Sequence, residues 1–162
     1  MSQLEHVVEV LRPAPVITTD NELYWTAARE GRLVVQECAG CGERHHPPRP
    51  LCPDCHSPDQ VPKETTGTGT IHSYSLLHYP QNAAFDYPIV AVLVDLDEGP
   101  RILSAMPWTD PADVRIGLRV RVAFAPTRDG GQVPVFEPDI LSATAFPGGA
   151  APKAPGDYED VT

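Results

Sequence analysis

Apolar positions divide the chain into a short helical beginning and a longer strand-rich remainder. Leu4, Val7, Val8 and Leu11 recur at helical spacing before Pro13-Ala14-Pro15 stops the pattern. Thr19-Asp20-Asn21-Glu22 has the form of a capping box, in which Thr19 accepts the Glu22 backbone N–H and Glu22 reaches back. This predicts a helix to about Glu30 with Leu23, Tyr24, Ala27 and Ala28 on one side and Trp25 beside them. Gly31 suits the left-handed position that ends it. Leu33-Val34-Val35 then reads as a short strand leading into a cysteine segment.

From Thr65 the period changes to two. Ile71, Ser73, Ser75 and Leu77 alternate with His72, Tyr74, Leu76 and His78. Residues 89–96 are almost continuously apolar, which predicts a strand buried on both faces. Asp97-Glu98-Gly99-Pro100 supplies a turn, and residues 101–106 return as the second arm of a hairpin. Residues 111–116 fit one helical turn. Leu118, Val120, Val122 and Phe124 alternate with Arg119, Arg121 and Ala123, and Asp129-Gly130-Gly131 turns the chain into a last strand at 133–136. Five strands therefore follow the cysteine segment. Small antiparallel sheets of this count close on themselves to hide their edges, and the five-stranded Greek-key OB barrel is one such solution among small barrels. The expected class is mainly β, with residues 1–32 a helical segment, 33–64 a metal ribbon, 65–141 a barrel and 142–162 a flexible tail rich in Ala, Pro, Gly and acids.

Composition narrows the function. The 162 residues are 41% hydrophobic and 21% charged, enough for one compact domain and a small appended module. No run approaches the ~20 apolar residues of a membrane helix. Met1 to His6 lacks a basic stretch leading into an apolar one, so the expectation is no secretory signal, no membrane and a cytoplasmic location. With 22 acids against 12 Lys and Arg the formal charge is −10, and residues 65–141 hold nine acids and five Arg. Such a balance repels a phosphate backbone, so no nucleic-acid partner is expected even though ribbons and OB folds serve that role elsewhere.

Cys38-Ala39-Gly40-Cys41 and Cys52-Pro53-Asp54-Cys55 form two Cys-x-x-Cys knuckles ten residues apart. Two residues between ligands let a tight turn aim both sulfurs at one ion, and Gly40 and Gly42 permit left-handed backbone there. In a reducing compartment this spacing denotes metal, and four thiolates fill a tetrahedral zinc shell without leaving a place for water or substrate. A structural Zn²⁺ is therefore expected, with rubredoxin-like iron the alternative in the same cage. His45, His46 and His56 are read as solvent-facing loop histidines rather than ligands. Arg44, His45, His46 and Arg49 form the one local cluster of potential positive charge, either a solvated knuckle or an anion subsite.

The sequence shows no nucleophile paired with a base. Ser73, Ser75 and Ser104 fall in strand patterns, His72 and His78 alternate with apolar residues, and Gly67-Thr68-Gly69 lacks the lysine and helix of a phosphate loop. Tyr74, Tyr79, Phe85 and Tyr87 lie in or near the first barrel strand and its following loop, as core or as a ring-stacking face.

Several segments in order carry a family resemblance. They are Arg29-Glu30-Gly31-Arg32-Leu33, the first knuckle with Gly42, His46-Pro47-Pro48-Arg49-Pro50, the second knuckle, and Gly67-Thr68-Gly69-Thr70-Ile71-His72-Ser73-Tyr74-Ser75. Tyr87-Pro88-Ile89-Val90, Leu96-Asp97-Glu98-Gly99-Pro100-Arg101 and Val114-Arg115-Ile116-Gly117 extend it. Across about residues 20–140 the chain resembles the DUF35 family of zinc-ribbon OB-fold proteins associated with acyl-CoA metabolism. The resemblance implies a rubredoxin-like ribbon, an OB barrel and a non-catalytic accessory subunit in a hetero-oligomer. Its implied partner is a thiolase-superfamily enzyme (thiolase, lipid-transfer-protein-like aldolase of steroid breakdown, or acyltransferase), in some members with a MaoC-type hydratase. The implied task is to hold or pass an acyl-CoA. Residue type and position make Arg49 the candidate for phosphate and Trp25 or Tyr74 for the apolar or ring portions.

Overall fold

A computed structural model describes residues 12–139 of the chain. The expected helix around Leu4 to Leu11 and the tail 142–162 lie outside the described residues. Helix α1 (Glu22–Arg29) turns Tyr24, Ala27 and Ala28 inward, while Leu23 stays 49% exposed. The expected capping box is absent. Asn21 is the N-cap, and its Oδ1 turns back to accept the Thr18 backbone N–H at 2.7 Å. The side chain thus closes the preceding turn rather than the helix, a local competition open to short amides. The far end forms as expected. Gly31 takes φ +75, its N–H reaches Ala28 O at 3.0 Å, and Arg32 N–H reaches Ala27 O at 2.9 Å. These are the two bonds of a Schellman ending.

A small antiparallel sheet follows, ordered β2-β1-β3, from β1 (Val34–Cys38), β2 (Arg44–His45) and β3 (Gln60–Glu64). The second sheet is ordered β6-β5-β4-β7-β8, with β4 (Thr68–Leu77), β5 (Ile89–Leu96), β6 (Arg101–Ala105), β7 (Arg119–Pro126) and β8 (Gln132–Pro138). All its pairings are antiparallel. The ends of this sheet come together, where Ser104 Oγ donates to Pro134 O at 2.9 Å, so the five strands make a nearly closed barrel. Between β6 and β7 lies one 3-10 turn (Pro111–Asp113), at the place where the pattern predicts a helical turn.

Two strand readings change. In β5, Val90, Val92, Val94 and Leu96 are buried, whereas Ile89, Ala91, Leu93 and Asp95 are only partly so. The barrel wall needs one inner and one outer face, and a continuous apolar run does not distinguish this from a strand covered on both sides. In β4 the register slips at His72: Ile71 pairs with Val94 but Ser73 pairs with Leu93. The extra residue of this bulge reverses the phase. Ile71 therefore faces the core, while Ser73, Ser75 and Leu77 share the outer face with Leu93, Ala91 and Ile89.

The core holds Ile71, Val92, Val94, Ile102, Met106, Val120 and Phe136, and Tyr24, Ala27, Leu33, Val34 and Val35 join it from the helix and ribbon. Each such large apolar side chain contributes roughly 1.5–3 kcal/mol on burial. Two approaches in the barrel are closer than a side chain permits. At Gly67, a Cβ would stand 2.2 Å from Val122 Cγ1. A Cβ at Gly69 would stand 2.5 Å from Asp95 O, at the point where β4 pairs with β5 and β7 together.

Polar bonds then fix ribbon to barrel. Arg44 Nε meets Glu37 Oε2 at 2.7 Å and its Nη1 donates to Glu98 O at 3.3 Å in the β5–β6 turn. Glu98 Oε1 in turn accepts the Thr66 backbone N–H at 2.7 Å. Arg29 pairs with Asp129, and Gln132 Nε2 donates to Arg29 O at 3.4 Å, which holds the end of α1 against the β7–β8 turn.

Candidate metal site and the surface beside it

Both knuckles are hydrogen-bonded turns. In the first, Gly42 N–H donates to Cys38 O at 2.7 Å and Cys38 N–H to Glu43 O at 2.8 Å. In the second, His56 N–H donates to Cys52 O at 3.1 Å and Cys52 N–H to Ser57 O at 2.9 Å. The residue after each second cysteine is left-handed: Gly42 at φ +78 and His56 at φ +60. His56 accepts there a backbone shape that favours glycine. Gly40 does not adopt it, so one glycine and one histidine supply what the spacing assigned to two glycines.

The four sulfurs lie within 4.8 Å of one another, with Cys38 to Cys55 at 3.5 Å and Cys41 to Cys52 at 3.6 Å. Metal–sulfur bonds of about 2.3 Å in a tetrahedron give edges of about 3.8 Å, so the donor set and its spacing fit a single zinc ion. Cys38 and Cys52 are buried, and Cys41 and Cys55 are exposed. Thiols this close do not ionise alike. Burial acts to raise Cys38, yet backbone N–H groups of Cys41 and Gly40 bring it down to about 6. Cys41 accepts the Glu43 N–H, which lowers it, but the neighbouring sulfurs push it up to about 12. A dication removes that conflict by holding all four as thiolates.

The neighbouring histidines depart from expectation. His45 is 8% exposed on β2, and His46 packs its ring on Tyr24 at 4.9 Å between centroids. Burial pushes His46 down to about 4. Contact with Tyr24 of α1 covers the His46 ring, and His45 is buried on β2; of the three only His56 is exposed. The Arg44, His45, His46 and Arg49 group does not assemble into a cationic pocket. Arg44 is committed to Glu37 and Glu98, and His46 is held neutral.

Arg49 is exposed on the loop after the cis His46-Pro47 bond, and Gln36 Oε1 on β1 accepts its backbone N–H at 2.6 Å. Two shallow depressions, each of about 370 Å³, flank the first turn of α1. Arg49 borders one with Leu23, Thr26 and Gln36. Trp25 borders the other with Tyr24, His46, Pro47, Pro48 and Leu103. Asp20 stands between them. Tyr74, 40% exposed on β4, lines neither. The pattern gives no sign of Leu103 in this wall, because its strand position is ordinary and only the helix packing brings the two together.

The remaining candidates form no catalytic set. Ser104 bonds the barrel seam, and His72 meets Asp95 at 3.0 Å on the outer wall, where Arg101 also pairs with Asp95 at 2.5 Å. Tyr87 and Phe85 serve the β4–β5 loop: Tyr87 Oη accepts the Asn82 N–H at 2.8 Å and donates to Pro80 O at 3.0 Å, and Arg12 lies 5.2 Å from the Phe85 ring centroid. Tyr79 remains 81% exposed. Among the described residues no helix is long and apolar enough to cross a membrane.

A four-cysteine ribbon joined to an OB-type barrel defines a class, and comparison with known proteins places the chain within it. Residues 25–60 match the family model "ChsH2, rubredoxin-like zinc ribbon domain", and residues 63–125 match "ChsH2, C-terminal OB-fold domain". A "DUF35 domain-containing scaffold protein" of Methanothermobacter thermautotrophicus is 33% identical over 62% of this chain and 77% of its own length. The solved "Ltp2-ChsH2(DUF35) aldolase" is 38% identical with a TM-score of 0.72, over 77% of this chain and 98% of that one. The chain belongs to the DUF35 family. It is also 38% identical, over 85% of its length, to a "Probable enoyl-CoA hydratase alpha subunit" of Thermomonospora curvata, of which it spans 43%. Of the "3-oxo-4,17-pregnadiene-20-carboxyl-CoA hydratase alpha subunit" of Mycobacterium tuberculosis, 31% identical, it spans 40%.

Proposed function

We propose that this chain is a non-catalytic accessory subunit that binds a thiolase-superfamily enzyme and helps hold its acyl-CoA substrate. The observation that carries this reading is the likeness, over 98% of that chain, to the DUF35 component of an aldolase complex. Relatives named scaffold proteins are in keeping with it. Zinc held by Cys38, Cys41, Cys52 and Cys55 would supply a cross-link between the two knuckles, with no open position for chemistry. The ribbon then serves to set α1 and the loop of residues 46–50 against the barrel.

In this reading the CoA portion lies along the first turn of α1. Arg49 meets a phosphate and Trp25 an apolar segment, while Tyr74 is the ring available on the barrel. Asp20 and Glu22 border the Arg49 depression, so one cation on this chain is not enough for a phosphate and the enzyme supplies the rest. The names of the hydratase and steroid-CoA relatives make lipid or steroid acyl-CoA the leading substrate class and a MaoC-type hydratase a further partner.

The test is co-expression with a thiolase-superfamily enzyme of the same organism. The two should copurify as a hetero-oligomer through gel filtration. Separate elution at micromolar concentrations would remove the basis of the proposal.

A further inference from the structure

An uncharged sheet face lies on the outside of the β4–β5–β6 meander. Leu93 stands between Leu103 and Ser73, Ala91 between Ala105 and Ser75, and Ile89 opposite Leu77. All eight point away from buried Val90, Val92 and Val94. Leu103 is 71% exposed and Leu77 44%. Isolated exposed leucines are ordinary on a protein surface. Here each has an apolar cross-strand neighbour on β5, Leu103 beside Leu93 and Leu77 beside Ile89, and outer sheet faces are normally kept soluble by charge. Charge resumes one step along the same face, where Asp95 pairs with Arg101 and His72. In the other direction Leu103 also walls the depression that contains Trp25, Pro47 and Pro48, so the apolar band continues onto α1 and the ribbon loop.

We propose that this band, centred on Leu103, is the surface on which a thiolase-type enzyme subunit seats. The assignment rests on the accessory-subunit reading above. Charge selects the occupant. Asp20 and Glu22 border the depressions at the helical end and make no ion pair among the described residues, on a chain of formal charge −10. A second copy would set the same acids and the same net charge against each other. An enzyme with an apolar patch rimmed by Lys or Arg meets both the band and its rim, and the opposed charges fix orientation. That rim also provides the cations which the Arg49 depression lacks for phosphate.

The experiment compares Leu103→Glu, Leu103→Ser, Leu77→Glu and Ile116→Glu in the full chain, each co-expressed with the same thiolase-superfamily enzyme. Ile116 is 68% exposed outside the band and serves as the control. Wild type and Ile116→Glu should copurify with the enzyme. Leu103→Glu should weaken the complex by about tenfold or more, with Leu103→Ser and Leu77→Glu weakened in the same sense, as expected for centre and edge of an apolar contact. All should keep the wild-type thermal transition, since these side chains support no core. A wild-type complex left intact by Leu103→Glu and Leu103→Ser overturns the surface assignment alone. A wild-type chain that binds no enzyme overturns the accessory reading and the surface with it. A self-associated wild type that Leu103→Glu makes monomeric replaces the enzyme by a second copy.

Discussion

Single residues decide how the ribbon meets the helix, and His46 is the most informative of them. Its ring lies on Tyr24, and burial keeps it neutral, with a pKa of about 4 against an ordinary 6.5. Because the folded value is the lower one, the unfolded chain binds the extra proton in acid. Stability present above about pH 6.5 is therefore lost as pH falls toward 4. Thermal melts should show a drop between pH 7 and pH 5 that is smaller in His46→Phe, a variant whose ring retains the contact without the titration. An equal drop in both proteins would show that His46 remains accessible to protons when folded. This residue was not legible in the sequence: His45-His46 beside a knuckle looks like a polar loop, and only the turn at Pro47 lays it on α1. Gly31 was legible because a left-handed helix ending has a local cause, and Asn21 was not because two local hydrogen-bonding choices competed for it.

At the scale of elements, periodicity located every strand of the barrel, and turn residues at 97–100 and 129–131 joined them correctly. Two features escaped it. The bulge at His72 leaves the alternation of Ser73, Ser75 and Leu77 intact while moving those residues to the outer face, which pairing alone reveals. Strands β2 and β3 are two and five residues long and carry Pro62 and mixed charges, so they have no apolar rhythm to read. They form because the knuckles fold the chain back beside β1. The short length of β2 and the Pro62, Lys63 and Glu64 of β3 also blunt the edges of this sheet. The ribbon has little core of its own, so the metal must carry its stability. Elemental analysis should find one zinc per chain. Chelation, or Cys52→Ser, should lower the melting temperature sharply, since structural zinc contributes roughly 10–16 kcal/mol of apparent binding energy in small domains. A chelated chain that melts as before would mean that the cysteines do not hold a structural ion, and iron in place of zinc would give the same four-thiolate cage the alternative metal.

The described residues form a barrel to which a four-cysteine ribbon and one helix are clamped by Arg44, Glu98 and the Arg29–Asp129 pair. Those clamps hold the depressions beside α1 and the apolar wall of β4–β6 in one continuous surface. The gathering of the four cysteines was legible, since the spacing of two knuckles alone brings their sulfurs together. The surface was not, because it is assembled from helix, loop and strand that only packing makes neighbours. In the proposed role this surface, rather than the metal, carries the function, and the chemistry belongs to the enzyme that docks there. Turnover of an acyl-CoA thioester, measured for this chain alone, for the thiolase-type subunit alone and for their mixture at increasing ratios, tests that division most directly. An accessory role predicts no turnover by this chain, little by the isolated enzyme, and a rise that saturates as the complex forms. Turnover by this chain alone, or enzyme activity indifferent to its addition, would contradict it.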